Sequence, residues 1–313
     1  MRTQVIAEIG INHQNDLKIA RELIELAATS GAQTVKFQCS TVREEVSFRH
    51  APDHFRELGQ LVPTTDFLRE CRRICDGSGV EFLCTPSGPE SLEIVVGLGV
   101  DRIKVASDNL NNEQFLELAR DTGLPLILST GMAEMPEIQR AVQITEARQI
   151  LHCVSLYPCP PNLANLSAIR SMEEAFPYRE IGYSDHTADP FTPVLAVAVG
   201  AQIIEKHLTL DHAMPGPDHQ ASMDPLQWGD MMKAIGGAEK VLGFGIKRPA
   251  KEEDAAAKRY RKSLTATRFI NKGEVIGRDM VTAKRPGTGF PADGWHSILG
   301  TVATRDIEED EQF

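Results

Sequence analysis

The sequence predicts an α/β fold, a (β/α)8 barrel followed by a small, mostly β module. Three observations carry this. Short apolar, β-branched runs alternate with amphipathic helical stretches up to about residue 210, the alternation occurs eight times, and the texture turns to short β-like segments after residue 263. Strands alternating with helices imply parallel pairing with right-handed crossovers, and eight such units suit a closed barrel of roughly 250 residues.

The runs are VIAEIG (5–10), TVKFQ (34–38), VEFLCTP (80–86), RIKVAS (102–107), PLILST (125–130), ILHCVS (150–155), EIGYSD (180–185) and IIEKHLT (203–209). An open doubly wound sheet is the competing architecture, but no G-x-G-x-x-G follows the first run. The stretch 39–63 exceeds an ordinary strand-to-helix loop and reads as an excursion over the site. These runs place a barrel over 1–245. The charged, helix-compatible segment 246–262 reads as a linker, and turn chemistry at NKGE and PGTG supports a compact β module over 263–313, with a short helix at GWHSILG.

Composition bounds the function. The chain has 313 residues, is 42% hydrophobic and carries a net charge of −11, which argues against a nucleic-acid or anionic-membrane surface. No run of about 18 apolar residues appears, so no membrane span is expected. No secretory signal is read at MRTQVIAEIG. The six cysteines lack a paired C-x-x-C pattern and read as reduced thiols. The cytoplasm is the expected compartment.

In a parallel barrel the active site lies at the C-terminal strand ends. The polar residues closing the runs should therefore converge: Glu8, Lys36 with Gln38, Thr85, Lys104 with Ser107, Ser129 with Thr130, Ser155, Ser184 through His186, and Glu205 through His207. Lys36 and Lys104, with hydroxyls from Thr85, Ser107, Ser129 and Ser184, suit a phosphate and a carboxylate. Each lysine alone also fits a snorkelling or ion-paired role. Two of them at different strand ends favour an anion, because buried ammoniums are costly unless paired. His186 and His207 close adjacent strands and suit a divalent metal with open positions, though a histidine pair is also compatible with ordinary packing. Glu8 reads either as an acid–base group or as an ion-pair partner of Lys36. Asp218, in the stiff turn MPGPDH, is either a hydrogen-bond acceptor for sugar hydroxyls or a turn aspartate. His13 and His152 read either as core or as supports behind the site, His50, His54, His212 and His296 as surface, and His219 as part of a substrate-facing loop.

Read together, AEIGINHQNDLKIARELI, GAQTVKFQ, STGM, LHCVSLYPCP, GYSDHT and EKHLTLD with PGPDH, in that order, resemble the sialic acid synthase family. The tail, with KRPGTG, resembles the antifreeze-like SAF domain of the same enzymes, so the resemblance covers nearly the whole chain. It implies condensation of phosphoenolpyruvate and water with the aldehyde of an N-acyl amino sugar such as N-acetylmannosamine, with release of phosphate. It also implies a divalent ion, manganese or alternatively magnesium or cobalt.

Carried over by position, Lys36, Thr85, Lys104, Ser107, Ser129, Ser155 and Ser184 match phosphoenolpyruvate-binding positions, and His186 and His207 match metal ligands. Glu8 matches the acid near the reacting carbons, where the resemblance also puts Lys104, His186 and His207. Gln38, Asn109, Tyr157, Asp218 and Arg285 match sugar-contacting positions. Arg285 corresponds to an arginine inserted by a partner subunit, which implies a domain-exchanged homodimer. Two departures concern the acceptor. Ala106-Ser107-Asp108-Asn109 stands where N-acetylneuraminate enzymes carry G-S-G-E, and Ser155 stands where they carry asparagine. Relatives making legionaminic or pseudaminic acid from diacetamido-trideoxy hexoses vary at such positions. Another phosphoenolpyruvate-dependent synthase, a Schiff-base aldolase using Lys104, and a non-catalytic carbohydrate- or ice-binding protein are the remaining alternatives.

Overall fold

A computed structural model describes residues 3–59 and 61–313, except the side chain of His54, so the surface reading of that histidine lies outside the described residues. The chain divides into two compact units, the first ending at Gly243 and the second running from Phe244 to Phe313.

In the first unit, eight parallel strands close into a barrel in sequence order. They are β1 (Gln4–Gly10), β2 (Thr34–Cys39), β3 (Glu81–Pro86), β4 (Ile103–Val105), β5 (Leu126–Ser129), β6 (Gln149–Cys153), β7 (Glu180–Asp185) and β8 (Ile203–His207). β1 pairs with β8 from Gln4↔Ile203 to Glu8↔His207, and this closes the ring. The helices are α1 (Leu17–Thr29), α2 (Val42–Glu45), α3 (Pro52–Leu58), α4 (Thr65–Ser78), α5 (Pro89–Gly97), α6 (Glu113–Asp121), α7 (Met135–Thr145), α8 (Ala168–Ala175), α9 (Phe191–Val199) and α10 (Pro225–Leu242). α1 shows why such segments become helices. Asp16 caps its first turn by accepting from the Lys18 amide, and Ala20, Leu23, Ile24 and Ala27 form one buried stripe.

Strand alternation divides the sheet into two faces. Val5, Ala7 and Ile9 of β1 join the large core between barrel and helices, whereas Ile6 joins Leu83, Ile127, Leu151 and Ile203 in a separate apolar layer inside the barrel. Below that layer Arg102 plugs the N-terminal end, donating to Glu81 Oε1 (2.6 Å), Gln149 Oε1 (2.7 Å) and Thr34 Oγ1 (3.1 Å). Above it lie the polar strand ends. The excursion 39–63 contains α2 and α3, and Glu44 anchors it by accepting from the backbone amides of Glu90 and Ser91 at the start of α5.

The second unit begins with α11 (Asp254–Tyr260), within the segment expected to link the domains. The antiparallel pair β9 (Ser263–Ala266) and β10 (Val281–Lys284) and the short helix α12 (Trp295–Ile298) follow. Its own small core gathers Leu264, Ala266, Ile270, Ile276, Val281, Ala303 and Ile307.

Gly182 marks a tight place in the barrel interior. A Cβ there would lie 2.5 Å from Leu151 Cδ2 and 2.6 Å from the Ile203 carbonyl oxygen. Since one neighbour is backbone, Gly182→Ala should lower stability by about 1–3 kcal/mol through overpacking. A urea midpoint equal to that of the parent would show that the strands move apart freely.

Candidate active site

The C-terminal strand ends enclose a cavity of about 330 Å³, lined from seven of the eight strands and the turns that follow them. A larger hollow of about 570 Å³ lies at the opposite end, beside Gln4, Glu180, Ile203 and Glu239, but it gathers no lysine or histidine. The chemistry is concentrated in the smaller one.

Its floor is a buried charge cluster. Lys36 Nζ lies 3.4 Å from Glu8 Oε2 and 3.2 Å from Glu205 Oε1, and Lys104 Nζ lies 3.7 Å from the same Glu205 oxygen. Ser184 Oγ donates to Glu205 Oε1 at 2.9 Å, Gln38 Nε2 donates to Glu8 Oε1 at 2.8 Å, and Thr85 Oγ1 is 3.4 Å from Lys36 Nζ. Glu8 therefore takes part in the Lys36 ion pair while its carboxylate borders the cavity. Alternation explains the gathering: Lys36 and Gln38, Leu83 and Thr85, and Glu205 and His207 each occupy the inward face of one strand.

The two lysines differ electrically. Burial alone would lower Lys36, but the Glu205 and Glu8 carboxylates outweigh it and hold its pKa above the ordinary lysine value. Burial lowers Lys104 to about 8; Glu205 offsets this in part and the neighbouring Lys36 charge adds to it. Glu205, which burial would raise, is pulled to about 2 by Lys104 and Lys36. Glu8 is raised to about 7, chiefly by burial, with Lys36 opposing.

Beside this floor stand His186 and His207, ring centroids 5.5 Å apart, with the Tyr157 ring 3.9 Å from His186 and edge-on to His207 at 5.9 Å. Burial holds both histidines below their ordinary pKa, so both are neutral and keep a lone pair. His186 Nδ1 is hydrogen-bonded to the Val154 carbonyl (2.8 Å), which leaves Nε2 as its lone-pair nitrogen, and buried His207 Nδ1 has no hydrogen-bond partner among the described residues. A neutral pair with free nitrogens fits a divalent cation. Among the described residues no third histidine, cysteine or carboxylate extends it to a metal-holding group of three.

The remaining residues divide by height and direction. Ser107, Ser155, Ser184 and Tyr157 line the cavity. Gly131 approaches closely there: its amide donates to Ser107 Oγ at 3.0 Å, and a Cβ would lie 2.2 Å from Ser155 Oγ. Asp218 Oδ2 lies 3.7 Å from His207 Nδ1, and burial raises its pKa.

Four of the expected residues have further contacts. Ser129 is absent from the cavity lining but accepts from Lys104 Nζ at 2.6 Å, so it orients the ammonium. Asn109 borders the cavity with its amide engaged: Nδ2 donates to the Ser87 carbonyl in the turn after β3, and Oδ1 accepts from Asn112 three residues on. His219 is buried, its Nδ1 2.7 Å from Thr209 Oγ1, and does not face the cavity. Arg285 belongs to the second unit, where its guanidinium lies 5.3 Å over the Tyr260 ring. Sequence reasoning named Glu205 at its strand end but gave it no role. Its signal was the inward step it shares with His207, two residues on. Asp108, Met132 and Cys153 also line the cavity, unflagged.

Fold and site together define a barrel whose C-terminal mouth combines two buried lysines and a set of hydroxyls with a neutral histidine pair. Residues 23–247 match the NeuB family and residues 261–313 match the SAF domain. The chain is 37% identical over 329 residues to an N,N'-diacetyllegionaminic acid synthase of Campylobacter jejuni, covering 99% of this chain and 98% of that one. It is 31% identical to a human N-acetylneuraminate-9-phosphate synthase, covering 98% and 90%. The crystal structure of an N-acetylneuraminic acid synthetase from Leptospira borgpetersenii superposes with a TM-score of 0.77 at 33% identity, covering 82% and 90%. The chain belongs to the NeuB family and is a synthase with a C-terminal SAF domain.

The Lys104 ammonium is present below about pH 8 and lost above it. Affinity for sulfate, which keeps its charge throughout this range, should fall above pH 8 by up to about tenfold per pH unit. Lys104→Met should bind weakly and show no such fall. A parent titration flat from pH 7 to 10 would remove Lys104 from the anion pocket.

Proposed function

We propose that this synthase condenses phosphoenolpyruvate with the aldehyde of an N-acyl amino sugar, consuming water and releasing phosphate to give a nonulosonic acid. The carrying observation is the two buried lysines on separate strands, sharing one cavity with hydroxyls and a neutral histidine pair. An anion with both phosphate and carboxylate matches that donor set, and the named relatives are synthases of this product class.

In this reading Lys36 and Lys104 hold phosphoenolpyruvate with Thr85, Ser107, Ser155 and Ser184, and Ser129 keeps the Lys104 ammonium aimed. This fixes the donor in attack geometry, so that orientation supplies much of the rate. The methylene carbon forms a bond to the aldehyde carbon, water adds at the carbon bearing phosphate, and the C–O bond to phosphate breaks. Glu8, steadied by Gln38 and Lys36, is placed to move the proton of that water. His186 and His207 would hold a divalent ion, manganese or alternatively magnesium or cobalt, which supplies Lewis-acid polarisation of the sugar carbonyl. Tyr157, Gln38 and Asp218 surround the space beside the histidines and would hold sugar hydroxyls.

Arg285 is assigned to the acyl group, reaching it from a partner copy in a homodimer that exchanges second units. The six cysteines are free thiols, and among the described residues no helix is long and apolar enough to cross a membrane. Both features agree with a cytoplasmic site of action.

The test offers phosphoenolpyruvate with N-acetylmannosamine and with each of the two diacetamido-trideoxy hexoses, reading phosphate release and product mass. Turnover with at least one acceptor, lost on chelation and restored by manganese, is expected. No phosphate release with any acceptor would refute the reaction. Arg285→Ala should raise the sugar KM at least tenfold while leaving that of phosphoenolpyruvate within about twofold, a loss expected when one charged hydrogen bond is removed. Equal effects on both constants would remove Arg285 from the acyl group.

A further inference from the structure

Between β7 and β8, on the sheet face turned away from the cavity, a lysine and an aspartate are sealed from solvent. Lys206 and Asp185 are both fully buried, with Lys206 Nζ 2.7 Å from Asp185 Oδ2. Lys206 Nζ also donates to the carbonyl of Thr187. Asp185 in turn accepts from the Thr187 amide at 2.9 Å and from its hydroxyl at 3.0 Å. The clasp starts from the chain neighbour of His207 and closes around His186, the residue between Asp185 and Thr187.

Its place in the ladder explains what it does. β7 and β8 pair from Gly182↔Ile203 to Asp185↔Lys206, and backbone pairing between them stops at that last rung. His186 lies one residue beyond it. His207 is still held by the sheet on its other side, paired with Glu8 of β1. His186 has no such rung. Its carbonyl accepts from the Cys159 amide and its Nδ1 bonds the Val154 carbonyl, both in the chain that follows β6. Those contacts fix His186 to the β6 side, and the Lys206 clasp ties it across to β8. Just beyond the clasp, Asp189 accepts from the amides of Phe191 and Thr192 and starts α9, so the gathered turn runs directly into a helix.

Stability alone accounts poorly for such a pair. Burying two charges is costly, and apolar replacements of buried pairs are often neutral or stabilising, whereas fixing register is the best-attested use of such pairs. We propose that Asp185 and Lys206 are a positioning pair that sets the spacing of His186 and His207 for a divalent cation. The inference rests on the metal reading above. Neither residue faces the cavity or touches substrate, so they act through the histidines they flank.

The test is the double variant Asp185→Asn/Lys206→Met, which removes both charges together and leaves the Thr187 amide an acceptor. Mn(II) binding is followed by electron paramagnetic resonance in the absence of substrates, alongside melting temperature and steady-state kinetics. The expected result is a folded protein whose melting temperature stays close to that of the parent. Its Mn(II) affinity should be weaker by about 10–100-fold, the usual effect of losing an outer-shell partner of a metal ligand. Its kcat should fall while the phosphoenolpyruvate KM stays within twofold, because the lysines are untouched. Unchanged Mn(II) affinity, or a double variant that does not fold, would overturn the positioning role. A parent enzyme that binds no Mn(II) would instead overturn the metal reading, so the two failures are distinguishable.

Discussion

One carboxylate governs the C-terminal end of the barrel. Glu205 stands between Lys36 and Lys104, at 3.2 and 3.7 Å, in a setting where all three side chains are nearly sealed. At such distances opposite charges attract by about 4 kcal/mol at an effective dielectric constant near 20. Desolvation costs several kcal/mol per buried ion, so the attraction and the cost are of similar size. The cluster is therefore held together without being satisfied. Glu205 Oε2 and Glu8 Oε2 have no hydrogen-bond partner among the described residues. With Glu8 raised to about 7 and Glu205 fully ionised, the two lysines carry more charge than their partners cancel. In the proposed reaction an incoming anion would complete that balance.

The layers beneath make this arrangement durable. Ile6, Leu83, Ile127, Leu151 and Ile203 form a dry floor, and Arg102 with Glu81, Thr34 and Gln149 closes the far end. The apolar layer separates the charges from the N-terminal end, and the side chains that carry them cannot retreat into it. Ser129 belongs to the same logic: two residues beyond Ile127 of the floor, it accepts from the Lys104 ammonium at 2.6 Å and orients it.

Much of this was legible in the sequence because strand alternation and chain polarity are local properties. Period two assigns each residue to a face, and the C-terminal end of each run assigns it to the reactive rim. Lys36, Thr85, Lys104, Ser184, His186 and His207 follow from those two facts. Competition for hydrogen bonds is not local. Ser129 stands as far beyond the floor as the cavity-lining Glu8 and Thr85, but its hydroxyl is engaged by Lys104, and Asn109 has its amide turned to Ser87 and Asn112 of neighbouring turns. The role of Glu205 depends on which lysines face it across the barrel, and that is fixed only when the ring closes. The SAF-type module was readable from turn chemistry and short β segments, since its small core repeats at short sequence spacing.

The run Glu205-Lys206-His207 shows how a single strand end serves two environments. The first and third residues point inward, where Glu205 balances the anion pocket and His207 stays neutral through burial, the neighbouring His186 and the nearby lysines. The middle residue points outward into the layer between barrel and helices, where its charge meets Asp185. Exchanging any two neighbours would put the ammonium inside the cavity and a carboxylate or imidazole in the apolar layer. The strand thus carries charge balance, a neutral nitrogen donor and a fixing ion pair in three consecutive residues. Period-two geometry keeps the three from neutralising one another, because the lysine that would otherwise quench Glu205 is directed to the opposite face of the sheet.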